Sequence, residues 1–598
     1  IHGVGLWEGE RNLYSPIAER VGHTLVLGTT RVGKTRFAEV LINQDIRRRD
    51  TVIVFDPKGD ADLLLGMYAA CRDAGRLDRF HVFHLAHPEC SSRYNPVGSY
   101  SRITQVATRI ANALPGEGNS AAFKEFGWRF VNIVAQALDR LGDIPSYRTI
   151  QQHVNNIDGL LVRYGRWWLD ENGPPHWPNL VDRYERRFSG DTAPKAGKAG
   201  KGGKGEDKKN EAAGLTSAER TRDIRAVCMA RVLTEVMQAA GVNDPIAEGL
   251  LSAAKYDRTY FDKIVSSLLP FLEKLSTGAV SALFNPDGDH GDAEEFDWLS
   301  VIRHNGVVYV GLAALQDVTV ASAVGNAMFA DLVATAGELY ADGAHPHLPG
   351  KDRKVKPVSL HCDEFNELIG DEFVPLLNKA GGAGFQVTAY TQTWSDVEAR
   401  IGNRAKARQI EGNFNTVHML RVRSKETAEL LTDMLPKIQV SHLTTVSTAQ
   451  HQNDPGSSRH FGSSVQDRVS TSDVPMLEPG DLTRLPKGHA FLVMEGGQLY
   501  KYRIPLPAPD RKPPPEDIRK LAGLMRTEAH GAENWHRDHW WMTTMSSRNL
   551  DPADFGGMLL LTGPDSHLDI AIPLPHDDRG YGEDGNVTSE DNNTEAAA

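Results

Sequence analysis

The chain has 598 residues, more than one hydrophobic core usually organises, so two folded domains with additional tails are expected. Its hydrophobic content of 40% and charged content of 24% are typical of a soluble globular protein, and no apolar run approaches the ~18 to 20 residues of a membrane helix. The net charge of -12 at first sight argues against a nucleic-acid partner but decides little, because a translocase can concentrate positive charge in a pore. The four scattered cysteines form no CxxC pair and suggest neither a structural zinc site nor a disulfide framework.

The first predicted element is a buried strand, residues 23–27, that leads into a glycine-rich loop and then into an amphipathic helix beginning near Arg36. The loop, residues 28–35, reads Gly-Thr-Thr-Arg-Val-Gly-Lys-Thr. Such a turn presents backbone N–H groups and a positive helix end to phosphate, while Lys34 adds a charge and the Thr35 hydroxyl can hold Mg²⁺. The sequence therefore predicts a nucleoside triphosphate site. Its predicted binding residues are Gly28, Thr29, Thr30, Arg31, Val32, Gly33, Lys34, Thr35 and Arg36.

Two more strands, residues 51–55 and 80–85, complete the βαβ rhythm of a parallel sheet within the first hundred residues. The second strand ends in the turn Asp-Pro-Lys-Gly at residues 56–59. Asp56 and Lys58 are close enough in sequence to that strand to approach nucleotide or DNA. A tight turn accounts equally well for the proline and the glycine, so both interpretations stay open.

Residues 101–296 show helical periodicity instead, which predicts an all-α domain inserted into the α/β domain. The longest predicted helices are 103–114, 121–141, 217–240 and 256–284. Within this region the lysine- and glycine-rich stretch 190–213 is predicted to be a disordered loop. Its lysines suit either a phosphate-contacting arm or a solvated linker.

The α/β pattern resumes with a strand at 306–312, a long helix at 321–340 and a strand at 357–362 that ends in Asp363 and Glu364. Acids at the carboxyl end of a strand lie on the edge where α/β sheets bind ligands. There Asp363 would hold Mg²⁺ and Glu364 would orient and deprotonate the attacking water. The alternative is a pair of solvated acids that begin a loop.

The remaining predicted strands are 385–390, 416–421, 488–494 and 498–504, followed by a proline-rich linker, a helical piece at 516–545 and an acidic tail. Residues 576–598 carry seven acids against one arginine, which is half of the net charge, in a segment expected to be disordered. The predicted domains are 1–100 with the P-loop, 101–296 all-α, 297–507 with the acid pair, and the C-terminal extension 508–598.

Taken together, these features resemble the type IV coupling proteins of bacterial conjugation (TraD/TraG-like), most closely the TraD-type coupling factors of integrative conjugative elements. The resemblance covers about residues 22–507. It rests on the P-loop, the turn at 56–59, Tyr-Asn-Pro at 94–96, the interposed helical region, the acid pair, Gln392 28 residues after Glu364, and Leu-Pro-Lys-Gly-His at 485–489.

The resemblance implies a RecA-like motor that assembles as a hexameric ring, with ATP and Mg²⁺ at the subunit interfaces. It also implies that the protein pumps single-stranded DNA, with its attached relaxase and relaxosome proteins, to the type IV secretion channel. By the same resemblance Lys34 and Thr35 bind phosphate and metal, Asp363 and Glu364 form the acid pair, and Gln392 senses the γ-phosphate. An amide suits that role because it can hydrogen-bond both a phosphate oxygen and the lytic water.

Two departures from the family pattern stand out. Many relatives place an arginine finger about a dozen residues before the glutamine, but residues 378–384 read Asn-Lys-Ala-Gly-Gly-Ala-Gly. Lys379, Arg404 or Arg408 would have to replace it, or each is simply a solvated base, and a lysine lacks the planar fork of arginine. The chain also begins at Ile1, which indicates truncation or processing. Attachment to the cytoplasmic face of the bacterial inner membrane is therefore expected through segments that precede it.

Two other functions remain open at this point. An FtsK/HerA-like motor for double-stranded DNA shares the P-loop and the acid pair. A recruitment scaffold that uses ATP only for assembly would share the nucleotide site but would not need Glu364.

Overall fold

The computed structural model describes residues 11–112, 114, 120–188, 215, 219, 222–255, 268–284, 295–341, 356–370, 373–451, 456, 461–505 and 512–531. Nine of its strands form one sheet in the order β11-β10-β7-β1-β6-β5-β2-β4-β3, and two form a separate hairpin. The strands are β1 Thr24–Leu27, β2 Thr51–Asp56, β3 Phe80–His84, β4 Val307–Gly311, β5 Val358–Cys362, β6 Phe385–Thr391, β7 Thr416–Leu420, β8 Lys437–His451, β9 Phe461–Pro475, β10 His489–Met494 and β11 Gln498–Arg503.

Seven neighbouring strands of the large sheet run parallel, while β10 and β11 join antiparallel at one edge. Strands such as β1 and β2 are buried at every position, as expected for parallel strands with both faces covered. Alternate residues supply the two faces: Leu25 and Ile53 belong to one hydrophobic core, and Val26 and Val54 to the other. This confirms the predicted α/β class with a large parallel sheet.

The helices named in the text are numbered in chain order. They are α1 Lys34–Arg47, α2 Ala61–Asp73, α3 Thr104–Asn112, α4 Ser120–Arg140, α5 Tyr147–Asn155, α6 Asp158–Asn172, α7 Trp177–Phe188, α8 Ile224–Ala240, α9 Pro245–Lys255, α10 Leu268–Ser276, α11 Gly278–Phe284, α12 Trp298–Arg303, α13 Val318–Ala341, α14 Phe365–Leu368, α15 Phe373–Lys379, α16 Trp394–Ile401, α17 Arg404–Glu411, α18 Lys425–Thr432, α19 Pro479–Thr483 and α20 Ile518–Gly531.

Between β3 and β4 the described regular elements are helices, α3 to α12, apart from a short 3-10 turn. Their buried side chains, such as Val131 and Leu160, belong to the same hydrophobic core as Phe55 of the sheet and Met328 of α13. The helical region therefore packs continuously onto one face of the sheet. The domain boundaries at 100, 296 and 507 stay predictions, and the stretch 190–213 and the acidic tail lie outside the described residues.

The predicted helix 256–284 differs from the structure, which has α10 and α11 with a break at Thr277. The break follows from Gly278, whose backbone φ of +63° is left-handed and interrupts a continuous helix. Residues 256–267 lie outside the described part of the chain.

Among the described residues, one helix, α13, is long and apolar enough to cross a membrane. The expectation that no segment reaches that length is corrected to this extent. In this structure α13 is a core helix: Phe329 stacks on Phe55 of β2 with ring centroids 4.2 Å apart, and Val324, Met328 and Leu332 are fully buried. Its apolar composition is explained by packing beneath the sheet.

The hairpin of β8 and β9 was not predicted. Its strands pair over fifteen positions, from Lys437 opposite Pro475 to His451 opposite Phe461, and nearly all of the side chains described along both strands are exposed. Without a buried face, the sequence shows no sustained alternation of apolar and polar residues, which is the signal that identifies a strand.

Candidate active site

The site lies on the carboxyl edge of the sheet, where four neighbouring parallel strands end side by side. In the order β1, β6, β5, β2, these strands lead into the P-loop, Gln392, the Asp363–Glu364 pair and the turn at 56–59. Because parallel strands present all their carboxyl ends at one edge, segments far apart in sequence converge here. The structure thus brings together the main residues of the predicted site.

The P-loop is held in place through its backbone. Gly28 N–H donates to Thr391 O over 3.2 Å, Thr29 N–H donates to Arg421 O over 3.0 Å, and Val32 O accepts from Gly488 N–H over 2.9 Å. These bonds tie the loop to the ends of β6 and β7 and to the turn before β10.

The loop passes directly into α1, which begins at Lys34, two residues earlier than predicted. Gly33 adopts a φ of +115°, a conformation that only glycine reaches without strain, and no side chain caps the helix. The first N–H groups of a helix have no partner within it, so an uncapped end offers them to an anion.

The Lys34 ammonium is buried and has no hydrogen-bond partner in the described part of the chain. Its nearest carboxylate oxygen, Glu364 Oε1, is 3.7 Å away. Burial lowers the pKa of Lys34, and the charges of Glu364 and Asp363 oppose that shift. A buried cation without a hydrogen bond is costly, and phosphate oxygens beside the loop are the acceptors it lacks. The residues present therefore fit a nucleoside triphosphate.

Glu364 lies at the centre of the site. Its side chain is buried, and its backbone adopts the left-handed conformation with a φ of 39°, which is strained for a residue other than glycine. Its Oε1 accepts hydrogen bonds from Lys58 Nζ and, over 3.1 Å, from Gln392 Nε2. Burial acts to raise its pKa, but Lys34 and Lys58 outweigh burial and lower it below the ordinary value. The predicted base and the predicted sensor are thus in direct contact.

Asp363 is the neighbouring acid. Burial, with the negative charges of Asp56 and Glu364, raises the pKa of its carboxyl to about 6. Crowded carboxylates of this kind are relieved by a divalent cation, and oxygen donors are the ligands Mg²⁺ prefers. Asp363 and the half-buried Thr35 at the start of α1 are the residues that would hold it.

The turn at 56–59 contributes a residue whose role the sequence left open. The Asp56 carboxylate accepts from Lys58 N–H over 2.9 Å, Asp60 N–H over 2.6 Å and Tyr309 Oη over 2.8 Å. The Asp56 carboxylate therefore shapes the turn and anchors Tyr309. Lys58 extends from that turn to Glu364, a contact that the sequence did not predict.

Three of the remaining predicted residues, Arg36, Arg404 and Arg408, are exposed. Arg36 is exposed and pairs with Glu39 of the same helix over 2.7 Å. Arg404 and Arg408 belong to α17 and line an open groove with Trp394 and Glu429. Lys379 ends α15. The identity of an arginine finger stays a prediction.

A second charge cluster lies near the C-terminal end of the P-loop helix and was not predicted. Arg20 donates to both oxygens of Asp45, over 2.6 and 2.9 Å, and His361 Nε2 lies 2.9 Å from Asp45 Oδ2. His361 Nδ1 lies 3.0 Å from Tyr390 Oη, and Arg48 pairs with the same aspartate. This cluster ties α1 to β5 and β6.

Two family models match parts of the chain. Residues 357–487 match the family described as "TraM recognition site of TraD and TraG", and residues 21–85 match "Helicase HerA, central domain". The first match covers the acid pair, Gln392 and the β8–β9 hairpin; the second covers the P-loop. The resemblance to coupling proteins of the TraD and TraG type is confirmed by the first match. No curated protein matches the chain.

Several solved structures match the chain at low sequence identity. The bacterial conjugative coupling protein TrwBdeltaN70, unbound, shares 16% identity, with 82% of this chain and 86% of that chain covered and a TM-score of 0.46. TrwB with the non-hydrolysable GTP analogue GDPNP shares 15%, with 84% and 92% covered and a TM-score of 0.47. VirB4 of Thermoanaerobacter pseudethanolicus shares 12%, with 81% and 90% covered and a TM-score of 0.35.

Proposed function

We propose that this chain is the ATP-hydrolysing coupling protein of a conjugative DNA-transfer system, which recruits relaxase-bound single-stranded DNA and pumps it to a type IV secretion channel. The observation that carries the proposal is the buried Lys34 ammonium beside the P-loop, which has no hydrogen-bond partner in the described part of the chain and lies 3.7 Å from the Glu364 carboxylate, which follows a different strand. In a purely structural ion pair both charged groups would have their hydrogen bonds satisfied, whereas in a phosphate site the ammonium gains its acceptors only when phosphate binds.

The proposed chemistry uses each residue at the edge of the sheet. Lys34 and the N-terminus of α1 hold the phosphates. The oxygen of the attacking water bonds to the γ-phosphorus while the bond from that phosphorus to the bridging oxygen breaks, and Glu364 accepts the proton that the water loses. Gln392, 3.1 Å from Glu364 Oε1, is near enough to orient that water. Asp363 and Thr35 hold Mg²⁺, which when bound supplies positive charge to the phosphate oxygens.

The assembly we propose is a hexameric ring with ATP at the subunit interfaces, located at the cytoplasmic face of the bacterial inner membrane. A base from the neighbouring subunit, Lys379, Arg404 or Arg408, would complete each site. The proposed domains are those expected from the sequence. The match to a family described by its recognition of TraM supports relaxosome proteins as partners alongside the secretion channel.

A double-stranded DNA motor is the second candidate, because the P-loop segment matches the central domain of the helicase HerA. The discriminating measurement is ATP turnover by the full chain with single-stranded DNA and with duplex DNA of the same sequence, using Glu364→Gln as the inactive reference. We expect the single strand to stimulate more. Stronger stimulation by duplex would favour the HerA-like motor, and wild-type turnover equal to the Glu364→Gln reference throughout would leave only the recruitment scaffold.

A further inference from the structure

We propose that Lys58 is a positioning residue that holds the base Glu364 in a resting, ion-paired position and so limits hydrolysis until the lysine moves away. This inference rests on the proposed function. Its basis is the contact between the Lys58 ammonium and Glu364 Oε1, which joins the turn after β2 to the acid pair after β5.

The acceptor oxygen is already fully engaged. Glu364 Oε1 accepts from Lys58 Nζ and from Gln392 Nε2 over 3.1 Å, and Lys34 Nζ lies 3.7 Å from the same atom. A carboxylate oxygen has about two lone pairs, so both are taken by the first two donors. A water molecule that is to lose its proton must donate a hydrogen bond to that carboxylate, and Oε1 has no lone pair left to accept it.

The two lysines near Glu364 differ in how nucleotide binding would affect their contact with it. Lys34 is buried on the P-loop, where bound phosphates would supply its missing acceptors. Lys58 is attached to a different strand, and its side chain is 43% exposed whereas that of Glu364 is 4% exposed. Binding of nucleotide therefore removes Lys34 from Glu364 but leaves Lys58 in place.

The backbone beneath Lys58 is fixed while its side chain is free to leave. The Asp56 carboxylate holds the turn through Lys58 N–H and Asp60 N–H, and Gly59 N–H donates to Asp56 O over 3.2 Å. The half-exposed ammonium can exchange Glu364 for water without disturbing that turn, because solvation offsets most of the lost ion pair. The lysine thus acts on the base alone.

The test is steady-state ATP hydrolysis by the full chain without DNA, comparing the wild type with Lys58→Met, which keeps the apolar stem and removes the donor. We expect basal turnover to rise by about three- to tenfold, because the variant lacks the partly solvated, charge-assisted hydrogen bond that holds Glu364 in its resting position. The ATP KM should be unchanged. The ratio of DNA-stimulated to basal turnover should fall, because the variant starts from the released state. Lys58→Arg keeps the charge and should keep the low basal rate.

The matched control is Lys425→Met, which removes an exposed lysine paired with Glu429 on α18 over 3.2 Å and should change nothing. Lower or unchanged turnover in Lys58→Met, beside an active wild type, would overturn the inference: the first outcome would make Lys58 a catalytic group. Turnover of wild type and Lys58→Met both equal to Glu364→Gln, with and without DNA, would overturn the proposed function and this inference with it.

Discussion

Two charge clusters lie towards the two ends of the P-loop helix, and each joins basic side chains to one carboxylate. The cluster at the C-terminal end of the helix, Arg20, Asp45, Arg48, His361 and Tyr390, pairs both aspartate oxygens and both imidazole nitrogens. The cluster at the sheet edge, Lys34, Lys58, Glu364 and Gln392, places several donors around one oxygen, and the Lys34 ammonium has no hydrogen-bond partner among the described residues.

The difference separates stability from function. A fully paired buried cluster needs nothing from outside, and removing one member leaves uncompensated charge. An unevenly paired cluster is costly to the folded protein and is expected where a ligand completes it. The first cluster should therefore matter to unfolding and the second to catalysis, and each of the following changes tests that division.

The largest expected effect is on the sheet-edge cluster. Glu364→Gln keeps the shape and the hydrogen bond from Gln392 but removes the base, so ATP turnover should fall by roughly a thousandfold. Nucleotide binding, measured by equilibrium titration, should remain. Glu367→Gln, an exposed glutamate three residues further on, is the control. Normal turnover in Glu364→Gln would remove this residue from the mechanism.

The next largest effect is expected in the cluster at the C-terminal end of the P-loop helix. Asp45→Asn leaves Arg20 and His361 without their anionic partner, which should cost about 3 kcal/mol in the free energy of unfolding, measured by chemical denaturation. The control Asp78→Asn removes an exposed carboxylate that pairs with the neighbouring Arg79 over 3.2 Å, and should be nearly neutral. Equal stability of the two variants would contradict a structural role for the cluster.

Lys34→Met should change stability in the opposite direction. It replaces a buried ammonium that lacks a hydrogen bond with an apolar chain of similar length, so the nucleotide-free protein should gain about 1 kcal/mol. The same variant should lose the thermal shift that ATP gives the wild type. A nucleotide-free protein that is clearly less stable than the wild type would show that Lys34 is a structural residue.

The last expected effect concerns pH. Burial, together with the charge of Arg20, lowers the pKa of His418 to about 3 from 6.5. The folded protein then keeps this histidine neutral while the unfolded chain binds a proton below pH 6.5, so stability is full above that pH and falls on acidification, by up to about 1.4 kcal/mol per pH unit. Compared with the wild type, His418→Gln should flatten the slope between pH 7 and 5. Identical slopes would refute the assignment.

The sequence predicted what is local and missed what depends on distant contacts. The strand, loop and helix around Lys34 were placed to within two residues because the motif itself specifies them. Gln392 was expected near Glu364 only through its spacing in the family, and the structure has them in contact. Asp45 and His361, 316 positions apart, gave no signal, because a charged residue on an amphipathic helix usually faces water.

The β8–β9 hairpin was missed for a different reason. Strand prediction depends on one face being buried, and here residues such as Leu443 and Val469 stand opposite each other on an exposed ladder. The contact of Lys58 with Glu364 was not predicted either. The turn at 56–59 was recognised, but the sequence left open whether Lys58 approaches nucleotide or DNA or only belongs to a tight turn.

The most direct test of the central claim is ATP turnover by the full chain across protein concentrations, with and without single-stranded DNA, against Glu364→Gln. A ring motor with sites completed by neighbouring subunits predicts DNA-stimulated turnover that rises more than proportionally with protein concentration. A flat background, independent of DNA and equal to that of Glu364→Gln, would contradict the account.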